Sequence, residues 1–398
     1  MERLQSAATR TWNRLIKIHD LKTNVNMSRI IIFLYLSLFT NMIMGQKLRA
    51  RDYNIPFGIL PMGKLNAITD VSGVKVGHVT IIEGENIRTG ITAILPHDGN
   101  LFKNKVPAAV FVGNGFGKLA GSTQIKELGT LESPVILTNT LSVAAGMEGI
   151  IQYTLSLPGN EKVKSVNAVV GETNDSYLND IRGMHIKSAD VIQAIKNATM
   201  GPIEEGNVGA GTGTVCFGWK GGIGSASRKL PESLGGYTVG VLVQTNFGGN
   251  LQIAGMPAGK ILGKYSFQDD LKNADGSCMI VVATDAPLLE RNLERMAQRA
   301  MMGLAKTGGI ASNGSGDYVI AFSTAEKLRQ DHQSKKLALD TFAVLNNNDM
   351  SPLFLATIEA TEEAIINSLF AAENMKGVDG NMVEKIPVDR VTSWFSKK

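Results

Sequence analysis

The segments 169–170 (VV) and 239–243 (VGVLV) are nearly all apolar. That is the pattern of strands covered on both faces, and such strands require layers of structure above and below them. The run 279–283 (MIVVA) is another buried strand, and 318–322 (YVIAF) is a further one. From Ile68 onward, ITDVSGVKVGHVTI, TGITAILP and AAVFVGNG alternate β-branched runs with glycine turns. Short Val, Ile and Thr runs bounded by Gly, Pro and Asp read as strands.

Apolar spacing predicts helices at 124–128 and 140–155, the second with a small-residue face (Ala144, Ala145, Gly149) suited to close packing on a sheet. A third helix is predicted after 279–283, with Asp285 as N-cap and Pro287 in the first turn. Its apolar stripe is Leu289, Leu293, Met296, Ala300 and Leu304, and Gly308-Gly309 ends it. Ser351-Pro352 opens a long amphipathic helix to about Asn374, with Leu353, Thr357, Ala360, Ala364 and Ile365 inward. Strands and helices come in clusters, which favours stacked sheets flanked by helices over a doubly wound sheet.

The chain has 398 residues with a formal net charge of +4, and no Lys/Arg block is interleaved with aromatics. A nucleic-acid partner is therefore not expected, and a small molecule or peptide is the expected substrate. The 43 glycines are scattered among apolar runs, as in a turn-rich globular protein without repeats. Cys216 and Cys278 each sit in an apolar stretch and read as buried free thiols. His78, His97, His185 and His332 are isolated from one another, so neither a catalytic metal nor a cofactor is expected. His78 reads as a structural strand-end residue. Gly209-Ala-Gly-Thr-Gly213 lacks the dinucleotide-loop spacing and reads as close backbone packing.

Residues 30–39 (IIIFLYLSLF) form a short apolar core between Arg29 and Gly45. The run is too short for a comfortable membrane span and fits a secretory signal, which assigns 1–45 to a signal peptide and the folded part to the periplasm or exterior. An uncleaved anchor is the alternative. Met27 offers a second start.

In Asn273-Ala-Asp-Gly-Ser277-Cys-Met-Ile-Val-Val-Ala a turn runs directly into a buried strand, with a hydroxyl residue at the junction. Taken alone this is a structural turn. If the Gly276–Ser277 peptide is cut, however, Ser277 gains an α-amine of pKa about 7.7–8.0, which can deprotonate its own hydroxyl. Gly276, lacking Cβ, lets the scissile unit adopt a strained geometry.

Together, ITDVSGVKVGH, NGFGKLAG, VVGETND with YLND, GAGTGTVCFGWKGGIGSASR, GVLVQTNFG, DGSCMIVVATDAPLL and NGSGDYVIAFST resemble the DmpA-type aminopeptidases and β-peptidyl aminopeptidases. These are self-processing proteins similar to N-terminal-nucleophile hydrolases. The resemblance implies an α+β fold, a layered α/β/β/α sandwich. It implies one catalytic domain cut into an α-chain (46–276) and a β-chain (277–398), without a cofactor, assembled as a homo-oligomer of αβ units. It implies Ser277 as nucleophile, Ser315 and Asp317 in contact with it, and Asn246 and Tyr177 polarising the substrate carbonyl. Some relatives carry Glu where Asp317 stands, so this acid is shorter. Glu172 and Asp175 are candidates for binding a substrate amine by charge. The implied reaction removes an N-terminal residue from peptides, amides or esters with a free amine, D- or β-amino acids included. The alternatives are an acyltransferase like the ornithine acetyltransferases, whose threonine nucleophile differs from Ser277, and a non-catalytic binding protein on the same fold.

Overall fold

A computed structural model describes residues 48–267, 276–331 and 339–396; the apolar run 30–39, the turn 273–275 and His332 lie outside them. Nine strands of five residues or more are described: β1 (Lys75–Glu83), β2 (Ile87–Leu95), β3 (Asn104–Gly115), β4 (Val135–Asn139), β5 (Val169–Thr173), β6 (Ile223–Lys229), β7 (Thr238–Asn246), β8 (Gly276–Thr284) and β9 (Ser315–Ser323). Five helices of seven residues or more accompany them: α1 (Ser122–Leu128), α2 (Val143–Ser156), α3 (Ser188–Lys196), α4 (Glu290–Lys306) and α5 (Ser351–Phe370). One sheet has the order β1-β2-β4-β5 and ends on Leu119–Ala120; the other has the order β6-β7-β8-β9-β3 and ends on Gln330–Asp331. Pairing is antiparallel except for β4 with β5 and β8 with β9.

Side chains alternate across each strand, which separates three apolar layers. Met279, Val281 and Ala283 of β8 and Ile320 and Phe322 of β9 meet Ile94, Leu137 and Val169 of the first sheet between the two sheets. Their neighbours Ile280, Val282, Val319 and Ala321 face outward onto Leu293, Met296 and Ala300 of α4 and Leu353, Ala360 and Ala364 of α5. On the opposite outer face, Ile91, Ile136 and Val170 pack against Ile150 of α2 and Val191 and Ile195 of α3. The architecture is a layered α/β/β/α sandwich, as expected, and strands 239–243, 279–283 and 318–322 occupy its centre.

Several local expectations are corrected. Asp285 does not cap α4: its Oδ1 accepts the Thr238 N–H at 2.7 Å, tying strand ends together, and the helix begins at Glu290, beyond Pro287. In α2 the packing face is Gly146, Gly149, Ile150 and Thr154, while Ala144 is exposed. A Cβ on Gly146 would come 2.8 Å from Val170 of the sheet, and one on Gly149 would come 2.5 Å from Val191 of α3, so one helix face serves both sheet and helix. His78 lies mid-strand, bonded through Nδ1 to Thr92 Oγ1 at 2.9 Å, and burial pulls its pKa down to about 4, which keeps it neutral.

Helix α5 ends at Phe370 and is buried around most of its girth instead of being amphipathic. Its acids are buried because they are paired: Glu359 and Glu363 clasp Arg228 of β6 at 2.9 and 2.8 Å, and Glu363 also takes Arg51 at 2.7 Å. The glycine-rich 209–213 segment packs tightly, as expected. Gly209, at φ +52°, lies where a Cβ would come 2.5 Å from Thr92 Oγ1, and Gly211 where one would come 2.4 Å from the Ile223 nitrogen. Cys216 and Cys278 are buried free thiols.

Candidate active site

Strand pairing assembles the site. β8 and β9 are parallel and both begin at one edge of the second sheet, where the antiparallel β7 and β3 end. Register places Asn246 opposite Ser277, Gly276 opposite Ser315, Ser277 opposite Gly316, and Gly316 opposite Gly115. Neighbouring strands lie about 4.8 Å apart, so four segments remote in sequence meet at one rim.

Ser277 is buried, with 6% of its surface exposed. Its hydroxyl donates to the carbonyl of the preceding Gly276 at 2.6 Å and accepts the Gly316 N–H at 3.2 Å. Gly276 is confined as well: a Cβ there would stand 2.4 Å from Phe247 Cα and 2.6 Å from the Asn246 carbonyl oxygen. A Cβ on Gly316 would lie 2.5 Å from the Phe116 carbonyl oxygen and 3.2 Å from the Ser277 hydroxyl. Both glycines are therefore demanded by close approach of backbone.

Ser315 and Asp317 are each only 1% exposed. Because Gly316 shares the Ser277 face of the sheet, alternation puts Ser315 and Asp317 on the opposite face. Their side chains therefore do not share the sheet face of the Ser277 hydroxyl, and the backbone N–H that approaches the Asp317 carboxyl is that of Cys278. Burial pushes the Asp317 carboxyl up to about 6, while the Ser315 hydroxyl and the Cys278 N–H pull it back. Those two groups are near but poorly aligned, since the Ser315 hydroxyl and both Asp317 oxygens lack a hydrogen bond of good geometry.

The rim opens onto a cavity of about 1140 Å³ lined by Asn246, Gly276, Ser277, Tyr177 and Glu172, with Phe116, Phe217 and Phe247 as apolar walls. The Asn246 Oδ1 accepts the Val215 N–H at 3.0 Å, which leaves its amide NH₂ for the cavity. Tyr177 sits on the cavity rim, 53% exposed, on the segment that follows β5. Glu172 ends in the wall: its Oε1 accepts the Lys118 N–H at 3.0 Å, the Lys118 ammonium lies 3.7 Å away, and the Thr140 hydroxyl donates to Oε2.

Asp175 is not part of the cavity lining. It turns inward to accept from Thr89 at 2.7 Å and Asn179 at 3.0 Å, and burial pushes it up to about 6, so it secures the Tyr177 segment from behind. Sequence reasoning missed the Gly316 N–H, Thr140 and the phenylalanine walls. For Gly316 the signal was present in Asn-Gly-Ser-Gly-Asp, but glycine spacing does not say which N–H faces a hydroxyl.

Comparison with known proteins bears on the family and the fold. Residues 66–383 match Peptidase family S58. The beta-peptidyl aminopeptidase BapA of Sphingosinicella microcystinivorans is 40% identical over 363 residues, covering 85% of this chain and 89% of that protein. A beta-aminopeptidase of a Burkholderia species superposes with a TM-score of 0.80 at 40% identity, covering 87% of this chain and 98% of that one. The L-aminopeptidase D-Ala-esterase/amidase of Ochrobactrum anthropi, described as a prototype of the serine aminopeptidases and a variant of the Ntn-hydrolase fold, superposes with a TM-score of 0.78 at 37% identity, covering 86% of this chain and 96% of that one. Fold, sheet-edge serine and sequence similarity agree: the chain belongs to peptidase family S58 and is an aminopeptidase of the N-terminal-nucleophile-hydrolase type.

Proposed function

We propose that the chain cuts itself between Gly276 and Ser277 and that the freed Ser277 then removes N-terminal residues from peptides, amides and esters with a free amine. The observation that carries this reading is the 2.6 Å contact of the Ser277 hydroxyl with the Gly276 carbonyl group, beside an N–H 3.2 Å away. In the first step the Ser277 oxygen attacks the Gly276 carbonyl carbon, the C–N bond breaks, and the hydroxyl proton passes to the departing Ser277 nitrogen. The resulting ester is hydrolysed by water, leaving a Gly276 carboxylate and a Ser277 α-amine. The products are an α-chain ending at Gly276 and a β-chain 277–398.

In the mature enzyme the Ser277 amine serves as base for its own hydroxyl. Asp317 and Ser315, buried on the neighbouring strand beside Ser277, hold that amine in place. The Asn246 amide and the Tyr177 hydroxyl stabilise the tetrahedral oxyanion, where each such donor is worth about 10²–10³ in rate. Glu172, buried at the cavity wall beside Lys118, takes the substrate amine. The names of the similar proteins support β- and D-amino acid derivatives as substrates. The apolar run 30–39 supports export to the periplasm or exterior without stable membrane association, and the resemblance supports an oligomer of αβ units.

A panel of amino-acid p-nitroanilides with free and blocked amines tests the reading. Release of nitroaniline is expected from free-amine substrates alone; equal turnover of the blocked forms would contradict it.

A further inference from the structure

Two lysines line the cavity, on opposite sides of Ser277. Lys118 follows the end of β3, on the side toward β9, where its charge is met by Glu172 at 3.7 Å. Lys264 lies on the β7 side, beside Phe217, Gly218 and Phe247. Its position is built. The Lys264 N–H donates to the Gly259 carbonyl at 2.9 Å, and the Ser266 N–H donates to the Gly249 carbonyl at 2.9 Å. Its stem crosses Gly218, where a Cβ would stand 2.8 Å from Lys264 Cε, and its ammonium rests 3.9 Å from the centroid of the Trp219 ring.

Burial draws this ammonium below the ordinary lysine range, and the charge of Glu384 opposes the shift. An aromatic face meets a cation from one side only, so N–H donors remain for the cavity. The walls therefore present an acid on one side of the serine and a held cation on the other. A substrate whose amine lies at Glu172 and whose scissile carbonyl lies at Ser277 directs its leaving group across β7. Lys264 lines the same cavity as Ser277 on that side, so a carboxylate carried on a short leaving group is the group this cation can meet.

We infer that Lys264 binds the free carboxylate of the leaving group, so that the favoured substrates are short peptides, dipeptides first, carrying both a free amine and a free C-terminal carboxylate. The inference rests on the aminopeptidase reading above, with Glu172 at the amine. A charge-assisted hydrogen bond in a half-buried site supports a preference of about tenfold.

The test compares kcat/KM for one dipeptide as its free acid and as its C-terminal amide. Wild-type enzyme is expected to favour the acid by about tenfold. Lys264→Met is expected to bring the ratio near one, and Lys264→Arg to keep part of it. In the wild type alone the preference is expected to shrink with added salt, a measurement independent of any variant's folding. Equal turnover of acid and amide by the wild type would overturn the assignment; it is also the result expected if Lys264 holds the Gly276 carboxylate freed by processing. A preference that survives in Lys264→Met would overturn it too. Amino-acid p-nitroanilides carry no carboxylate and separate the two levels. Failure to turn over any free-amine substrate overturns the aminopeptidase reading itself, whereas turnover without an acid preference overturns the Lys264 assignment alone.

Discussion

Asp317 is buried beside the nucleophile, and its carboxyl is pushed well out of its ordinary range. Burial raises its carboxyl from 3.8 to about 6 in the uncut chain. The folded state thus binds this proton more tightly than the unfolded state. The associated stabilisation is fully present below pH 3.8 and is lost as pH rises through about 6. Comparing Ser277→Ala with Ser277→Ala/Asp317→Asn by thermal unfolding across that window isolates the effect. The single variant is expected to lose stability as pH rises, by at most about 3 kcal/mol, and the double variant to lose less. Parallel profiles would contradict the burial of an unpaired carboxyl. Once Ser277 carries an ammonium, the opposite charge draws the carboxyl back down. In the otherwise wild-type chain, Asp317→Asn is expected to slow p-nitroanilide hydrolysis by about 10² or more, with rate at saturation falling more than affinity. The chemical residue types at this site were legible, since Gly276-Ser277 and Ser315-Gly-Asp317 stand out as small polar groups heading apolar strands. Their faces were not. That Ser315 and Asp317 lie on the sheet face opposite the Ser277 hydroxyl follows from the register of β8 against β9, a property of pairing between remote segments.

At the scale of elements, the strands and helices could be read because burial on both faces and the three-four apolar spacing are local signals. Strands 239–243, 279–283 and 318–322 and the inward positions Leu353, Thr357, Ala360, Ala364 and Ile365 occupy the places expected of them. Two of the failures share one cause, a polar group taken by a distant partner. Asp285 caps a strand end instead of α4, and the glutamates of α5 are buried because Arg51 and Arg228 arrive from elsewhere in the chain. Arg228 is fully buried and satisfies Glu359 and Glu363 together. Arg228→Met leaves both acids without this partner, and a loss of about 3–5 kcal/mol is expected. Thermal unfolding at neutral pH checks this; a melting temperature within a degree or so of wild type would show that the cluster is dispensable.

For the molecule as a whole, the proposed cut falls where β8 begins, between a strand of the α-chain and a strand of the β-chain. β8 pairs with β7 on one side and β9 on the other, and α5 of the β-chain grips Arg51 and Arg228 of the α-chain. The two pieces are thus woven into one sheet and one core. Cleavage frees a terminus at the sheet edge without exposing an apolar layer. Intact-mass analysis and N-terminal sequencing of the purified protein, alongside Ser277→Ala, test the central claim most directly. Two fragments are expected from the wild type, travelling together until denatured, with the C-terminal one beginning at Ser277, and a single uncut chain from the variant. A wild-type chain that stays whole, or a new terminus at any other residue, would contradict the assignment of Ser277 as a self-generated N-terminal nucleophile.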